Sequence, residues 1–357
     1  MSLALPHAGP VGTADAQEPP HEAMEQAADW YALLRSGVAT DGDRLEWSRW
    51  LERDADHRHA WSYVEAVSRS FEPLQATQAP QATADGLWAA NQRVLQRRRL
   101  LAGIALFGGS GLLGWATWRH TPLPLMAQAW RADHRTATGE IREVVLADGS
   151  RVWLNTATAF NLDYGADARR LQLLAGEILV ETAHEAGRPF FVHTPQGRLQ
   201  ALGTRFTVRL DGEETLLAVY QGAVEVRTAE GAASAVIKAG RQIRFGRDAL
   251  GAQAPADIAR EAWSRGVLAA NNVPLSEVVG ELRRYRHGHL GLAPEVAGLR
   301  VFGSFPLHDT DEALKLLAYA LPIQVRRTLP WWVSIEAVAT GEKAGKAADK
   351  AAGKAGS

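Results

Sequence analysis

Residues 97–118 read RRRLLAGIALFGGSGLLGWATW, three arginines followed by a run without a single charge. As a helix, the run 100–118 rises roughly 28 Å, close to the ~30 Å hydrocarbon core of a bilayer. Ser110 and Thr117 are its only hydroxyl side chains, so it lacks the polar face of a surface helix. Arg97, Arg98 and Arg99 precede it, and Arg119 and His120 follow. That bias places the N-terminal side in the cytoplasm and the C-terminal side in the exported compartment. The expectation is one transmembrane helix, bounded by Leu100 and Trp118, joining two compartments. Its glycines (Gly103, Gly108, Gly109, Gly111, Gly114) moderate its hydrophobicity. With the arginines they resemble an internal twin-arginine signal, and the route of insertion, general or twin-arginine, stays open. Residues 109–114 also match the dinucleotide pattern G-x-G-x-x-G. That pattern works where a strand meets a helix N-terminus, and no strand precedes it here.

The sequence works outward from this span. At 357 residues the chain is long enough for several domains. A net charge of −1 provides no field for nucleic acid, and the absence of cysteine excludes disulfides and thiolate metal sites. Residues 1–21 form a polar lead without a basic, then apolar, secretory pattern, and 338–357 form an Ala/Gly/Lys tail. Both are expected to be disordered.

Before the span, residues 22–72 carry three helical patterns. Ala27, Trp30, Tyr31 and Leu34 share one face, and Gly37 stops that helix. Thr40 or Asp41 caps a second with Leu45, Trp47, Trp50 and Leu51, and Asp54 or Asp56 opens a third with Ala60, Trp61, Val64, Val67 and Phe71. So many indoles on so small a bundle predict a core that doubles as an apolar surface for a partner. Residues 73–99 read as a linker and a basic juxtamembrane helix.

After the span the period changes to that of strands. Asp148-Gly149 between two apolar runs is a hairpin signal, and short strands punctuated by glycine turns predict an all-β sandwich or roll over 130–250. From 262 to 337 strands alternate with two helices, which predicts a small α+β module. Its first helix carries Leu275, Val278, Val279 and Leu282 on one face.

These regions, in this order, resemble the FecR family of transmembrane sigma-factor regulators. The resemblance rests on Ala28-Asp29-Trp30, Trp47-x-x-Trp50-Leu51 and His57-Arg58-His59-Ala60-Trp61 in the helices. In the β-region it rests on three strings: residues 148–155 (DGSRVWLN), 191–195 (FVHTP) and 201–208 (ALGTRFTV). The last region, with Pro274-Leu275-x-Glu277-Val278-Val279-x-Glu281-Leu282-x-Arg284-Tyr285, looks like the short N-terminal module of secretins and TonB-dependent transporters.

The resemblance implies a single-pass inner-membrane protein, N-terminus in the cytoplasm and C-terminus in the periplasm. Its helices would hold an extracytoplasmic-function sigma factor through Trp30, Leu34, Leu45, Trp47, Trp50, Leu51 and Trp61. Its periplasmic part would receive a signal from the N-terminal domain of a TonB-dependent outer-membrane receptor, commonly for siderophore iron uptake. Contacts are expected at Leu275, Val278, Glu281, Leu282, Arg284 and Tyr285. Site-2-type and periplasmic proteases are further implied partners.

No nucleophile elbow, P-loop or H-E-x-x-H motif occurs, so no enzyme, cofactor or metal site is expected. His57-x-His59 and His287-x-His289 fall at a helix start and beside a turn, where a structural role outweighs a metal one. The competing reading is a membrane-anchored periplasmic binding or scaffolding protein, with the helices as a stabiliser and no sigma-factor partner.

Overall fold

The computed structural model describes residues 19–76, 129, 131–185, 187–231 and 233–338. The expected span at 100–118, with Arg97, Arg98, Arg99, Leu100 and Trp118, lies outside them. So do residues 77–99 of the expected linker and all but the edges of both terminal segments. Among the described residues, no helix is long and apolar enough to cross a membrane.

The described chain forms two compact units. The first joins the N-terminal helices to residues 288–295 and 324–337. Its helices are α1 (His21–Arg35), α2 (Asp41–Arg53) and α3 (Ala55–Ala76). Gly37, at φ +81°, follows the end of α1. Thr40 caps α2 through a capping box, its hydroxyl accepting from Asp43 N while the Asp43 carboxylate accepts from Thr40 N. Asp54 accepts from Asp56 N at the start of α3, which runs on past Phe71 to Ala76. Ala23, Ala27, Ala28 and Ala60 are buried with Met24, Tyr31, Trp50 and Val64. Alanines on the facing stripes keep the helices close. The strands of this unit are β16 (His289–Leu292), β18 (Ile323–Leu329) and β19 (Trp332–Ala337) in the order β16-β19-β18, with β16 and β19 parallel.

The second unit is dominated by β-structure. One seven-stranded sheet contains β1 (His134–Arg135), β4 (Ala159–Tyr164), β5 (Arg169–Ala175), β7 (Phe190–Thr194), β8 (Gly197–Ala201), β11 (Ala223–Thr228) and β12 (Ser234–Lys238) in that order. The other runs β14 (Ala254–Pro255), β13 (Arg241–Phe245), β10 (Glu214–Gln221), β9 (Arg205–Asp211), β6 (Glu177–Glu181), β3 (Arg151–Leu154), β2 (Arg142–Val145). Neighbours are antiparallel except for the parallel pair β5–β7. Phe160, Leu171, Phe190 and Val226 from one sheet share a core with Val152, Ile178, Phe206, Leu217 and Ile243 from the other. Alternation along each strand produces that two-layer core. Beyond it come a 3₁₀ helix (Ile258–Arg265) and the pair β15 (Val267–Pro274) and β17 (Arg300–Pro306). Helices α4 (Leu275–Arg283) and α5 (Thr310–Ala320) complete the unit. The residues expected to form one module over 262–337 are thus shared between the two units.

Candidate protein-partner interface

The aromatic stripe of the helices has been assembled, but its members differ in role. Trp50 is 5% exposed; its Nε1 donates to Gln26 Oε1 at 2.7 Å, and its ring stacks on His57 at 4.3 Å. It belongs to the core. Trp47 packs on Trp61 at 5.0 Å, and Trp61 on Tyr31 at 5.8 Å. Trp30, Leu34, Trp47, Leu51 and Trp61 are half-buried, and Leu45 is 52% exposed. Leu45 on α2 and Val38 in the connection between α1 and α2 are, among the described residues of this segment, the most open large apolar groups.

A second face of the helices carries contacts that the sequence did not announce. Glu25 is buried on α1, and its Oε1 accepts from Trp332 Nε1 at 3.1 Å and from Ser334 Oγ at 2.5 Å. One turn on, the carboxylate of Asp29 accepts two hydrogen bonds from Arg326 Nη2 at 2.7 and 2.8 Å. That pairing raises the Arg326 pKa above its ordinary value. Trp331 meets Tyr31 edge-on at 5.7 Å and stacks on Phe71 at 5.9 Å. His289 stacks on Trp332 at 3.9 Å, with Tyr63 edge-on at 5.6 Å. The only signal in the sequence was a carboxylate, Glu25, set among alanines four residues before Asp29. The Trp331-Trp332 pair gave no hint of its partner, because that partner lies some three hundred residues away.

In the second unit, α4 is a braced element. Leu275, Val278 and Leu282 are buried to 2% exposure or less. Glu281 takes Arg209 Nη1 at 2.5 Å and Arg284 Nη1 at 2.8 Å, and Arg284 also reaches Glu177 at 2.8 Å. Tyr285 OH donates to Asn155 Oδ1 at 2.6 Å, and Thr156 Oγ1 donates to the Arg284 carbonyl. Burial pushes the Glu281 carboxyl up, but the Arg284 and Arg209 guanidiniums outweigh it and hold the pKa below the usual carboxylate range. Burial is also the main cause that raises the Tyr285 phenol. The expected contact residues on α4 thus face their own domain.

The string 148–155 is the hub of the β-core. Asp148, whose side chain has no exposed area, accepts from Ser150 N, Ser150 Oγ, Tyr164 OH and Arg169 Nη1, the last at 2.6 Å. Burial raises its pKa, yet the bonds from Ser150 and Arg169 leave it below the ordinary value. A hollow of about 330 Å³ beside Arg169 is lined by His184, Glu185, Phe190, Gln200 and Leu202. The Arg169 guanidinium is turned to Asp148, Glu185 and the carbonyls of Ala183 and Arg188. A cleft beside Trp263, Val278 and Tyr285, about 60 Å³, has room for little more than water.

Comparison with known families decides the identity of the sandwich: the family described as FecR protein matches residues 132–225. Those residues match a FecR domain. A second family, a domain of unknown function designated DUF4880, matches 25–67, the three helices of the first unit. The FecR match takes in the Asp148 hub, both halves of the Arg169 pair and the strands from β1 to β10, and ends within β11. Two crystal structures of a "putative anti-sigma factor" from Parabacteroides distasonis ATCC 8503 are similar to this chain. One, at 1.65 Å resolution, is 24% identical with a TM-score of 0.48 and covers 58% of this chain and 99% of the other. The second, at 2.50 Å, is 24% identical with a TM-score of 0.47, covering 58% and 98%. No curated protein sequence matches.

Proposed function

We propose that this protein is a single-pass inner-membrane regulator that binds an extracytoplasmic-function sigma factor through α1–α3. A FecR domain and a DUF4880 helical segment in one chain, on either side of the apolar run 100–118, carry this reading. A helical segment with half-buried indoles and an exposed Leu45 suits a helix-in-groove partner, since a sigma factor is itself helical. The exported FecR domain and its braced α4 receive the signal, from the N-terminal domain of a TonB-dependent receptor for siderophore iron uptake. Proteases, including a site-2-type enzyme, would release the helices. The test is to co-express the full chain with each extracytoplasmic-function sigma factor of its host, while reporter fusions at residues 76 and 338 map topology. Capture of one sigma factor, lost in Leu45→Arg, supports the reading. Capture of none, or both reporters on one side of the membrane, sinks it.

One observation favours the second reading. The pairing of Glu25 and Asp29 with the C-terminal strands uses the helices as a structural cover, as a scaffolding protein would. In that case, deletion of residues 22–71 leaves the phenotype unchanged and destabilises the strands.

A further inference from the structure

We infer that the outer face of the sheet running from β1 to β12 docks on the anionic headgroups of the membrane that anchors the chain. This rests on the single-pass reading above. Strand alternation buries Val192, Leu199 and Val226 in the sandwich core and turns their neighbours outward. In one row across the strands, His193 on β7 faces Arg198 on β8, and Arg198 faces Arg227 on β11. Like charges directly opposite one another destabilise a ladder, so the fold gains nothing from this arrangement. Arg198 is exposed and lies over the Phe191 ring, 5.0 Å from its centroid. Burial first, and then the charges of Arg198 and Arg170, push the His193 pKa down. Arg170 on β5 and Lys238 on β12 point to the same side. The carboxylates beside them are Asp163, 3.2 Å from Arg170, and Glu225, 3.7 Å from Arg227. From β4 to β12 the face thus carries four cations against two carboxylates, on a chain whose net charge is −1. Val236, opposite Glu225 on the ladder, adds an exposed apolar group able to enter a headgroup layer.

The length of chain leading to the sandwich decides the occupant. Trp118 ends the apolar run and His134 opens β1, so fifteen residues lie between them, with a reach of at most about 50 Å. β1 is the edge strand of this same sheet. In an inserted chain the bilayer is therefore held beside the basic face at high effective concentration. Cations in a row at the ~4.8 Å spacing of neighbouring strands suit a dense layer of phosphates, and a guanidinium forks onto phosphate oxygens. An acidic protein would offer similar charge without the tether, which favours lipid. Docking also has a consequence for signal receipt. The other sheet, whose Glu177 and Arg209 hold Arg284 and Glu281 of the α4 region, then faces away from the bilayer and stays open to a partner.

The test uses the purified full chain rebuilt into vesicles of phosphatidylcholine, alone or mixed with phosphatidylglycerol. The absence of native cysteine allows a single fluorophore at Gln172→Cys, an exposed position in the His193 row, with an energy-transfer acceptor on the lipid headgroups. Transfer should rise in the anionic vesicles and fall back at about 1 M salt, where the Debye length is about 3 Å. Arg198→Gln combined with Arg227→Gln should lower the ratio of docked to free sandwich about thirtyfold, at about 1 kcal/mol per cation, without lowering the melting temperature. Arg151→Gln, on the other sheet, should leave the transfer unchanged. Equal transfer in neutral and anionic vesicles, with lipid the only partner present, overturns the inference and leaves the face to an acidic protein. Transfer in the double variant equal to the parent's overturns it as well. A chain that alkaline carbonate strips from the vesicles fails the single-pass reading itself, and the inference falls with it.

Discussion

Replacing Asp148 by asparagine keeps the shape of the most buried ion pair among the described residues and removes its charge. The Asp148 side chain has no exposed area, and Arg169 is 4% exposed, so the guanidinium cannot recover water. What remains near it is Glu185, at 3.6 Å and 32% exposed. Stranding one partner of a buried pair costs about 3–5 kcal/mol, and the amide's remaining hydrogen bonds place this case near the lower figure. At about 2–4 °C per kcal/mol for a body of this size, the melting transition should fall by roughly 6–12 °C. The assay is thermal unfolding of the full chain in mild detergent, followed by far-UV circular dichroism. Arg151→Met is the control, because its partner Glu143 lies in the same hairpin and both are well exposed, at 49% and 35%. That pair is worth about 0–1 kcal/mol. The pH leg has a definite sign. The Asp148 pKa is depressed in the fold, so its contribution is complete above the unfolded value of about 3.9 and fades as pH falls through the folded value. The gap between parent and Asp148→Asn should stay constant from neutral pH to about 5 and close below about 4. A shift no larger than the control's, or a gap unchanged at pH 3, would refute the reasoning.

Other perturbations separate structure from recognition. Arg284→Met leaves Glu177 and Glu281 facing each other and should destabilise the second unit by about 2–4 kcal/mol, read by denaturant titration. Gly176→Ala should be far worse than Gly203→Ala, although both glycines have positive φ. A Cβ at 176 would come within 2.6 Å of Thr158 Cα, whereas nothing lies within 4 Å at 203. Gly203→Ala should cost about 1 kcal/mol of backbone strain, and Gly176→Ala several, with loss of soluble expression as the first sign. Trp50→Ala should abolish sigma-factor capture by melting the helices, about 3–5 kcal/mol, whereas Leu45→Arg should abolish it with α-helical content unchanged. Circular dichroism beside the capture assay distinguishes the two.

Much of the architecture was legible residue by residue. Gly37, Thr40 and Asp54 mark helix ends because each signal acts through its own backbone neighbours. Asp148-Gly149 marked its hairpin for the same reason, and Thr194 Oγ1 accepts from Gly197 N in the turn around Pro195. On β3 the buried Val152 and Leu154 alternate with Arg151 and Trp153, a pattern of period two. In β4 Phe160, Leu162 and Tyr164 alternate with Asn161 and Asp163, and a bulge between Ala159 and Phe160, which no sequence signal marks, shifts its register. Site residues were legible as regions rather than as roles. The same pattern that flags Trp50 and Leu45 as one apolar face cannot say that one is core and the other surface.

The sequence by itself determined what is local or periodic: the helices and most strands, the apolar run at 100–118 with its arginines, and the FecR strings in order. Tertiary structure alone decided which distant charges meet. Asp148 finds Arg169, Glu281 finds Arg209, and Glu25 finds Trp332 and Ser334. An ion pair or a buried carboxylate has no period and no preferred spacing along the chain. Its partner is fixed by which strands and helices the core brings together, and so it becomes visible only in the folded chain.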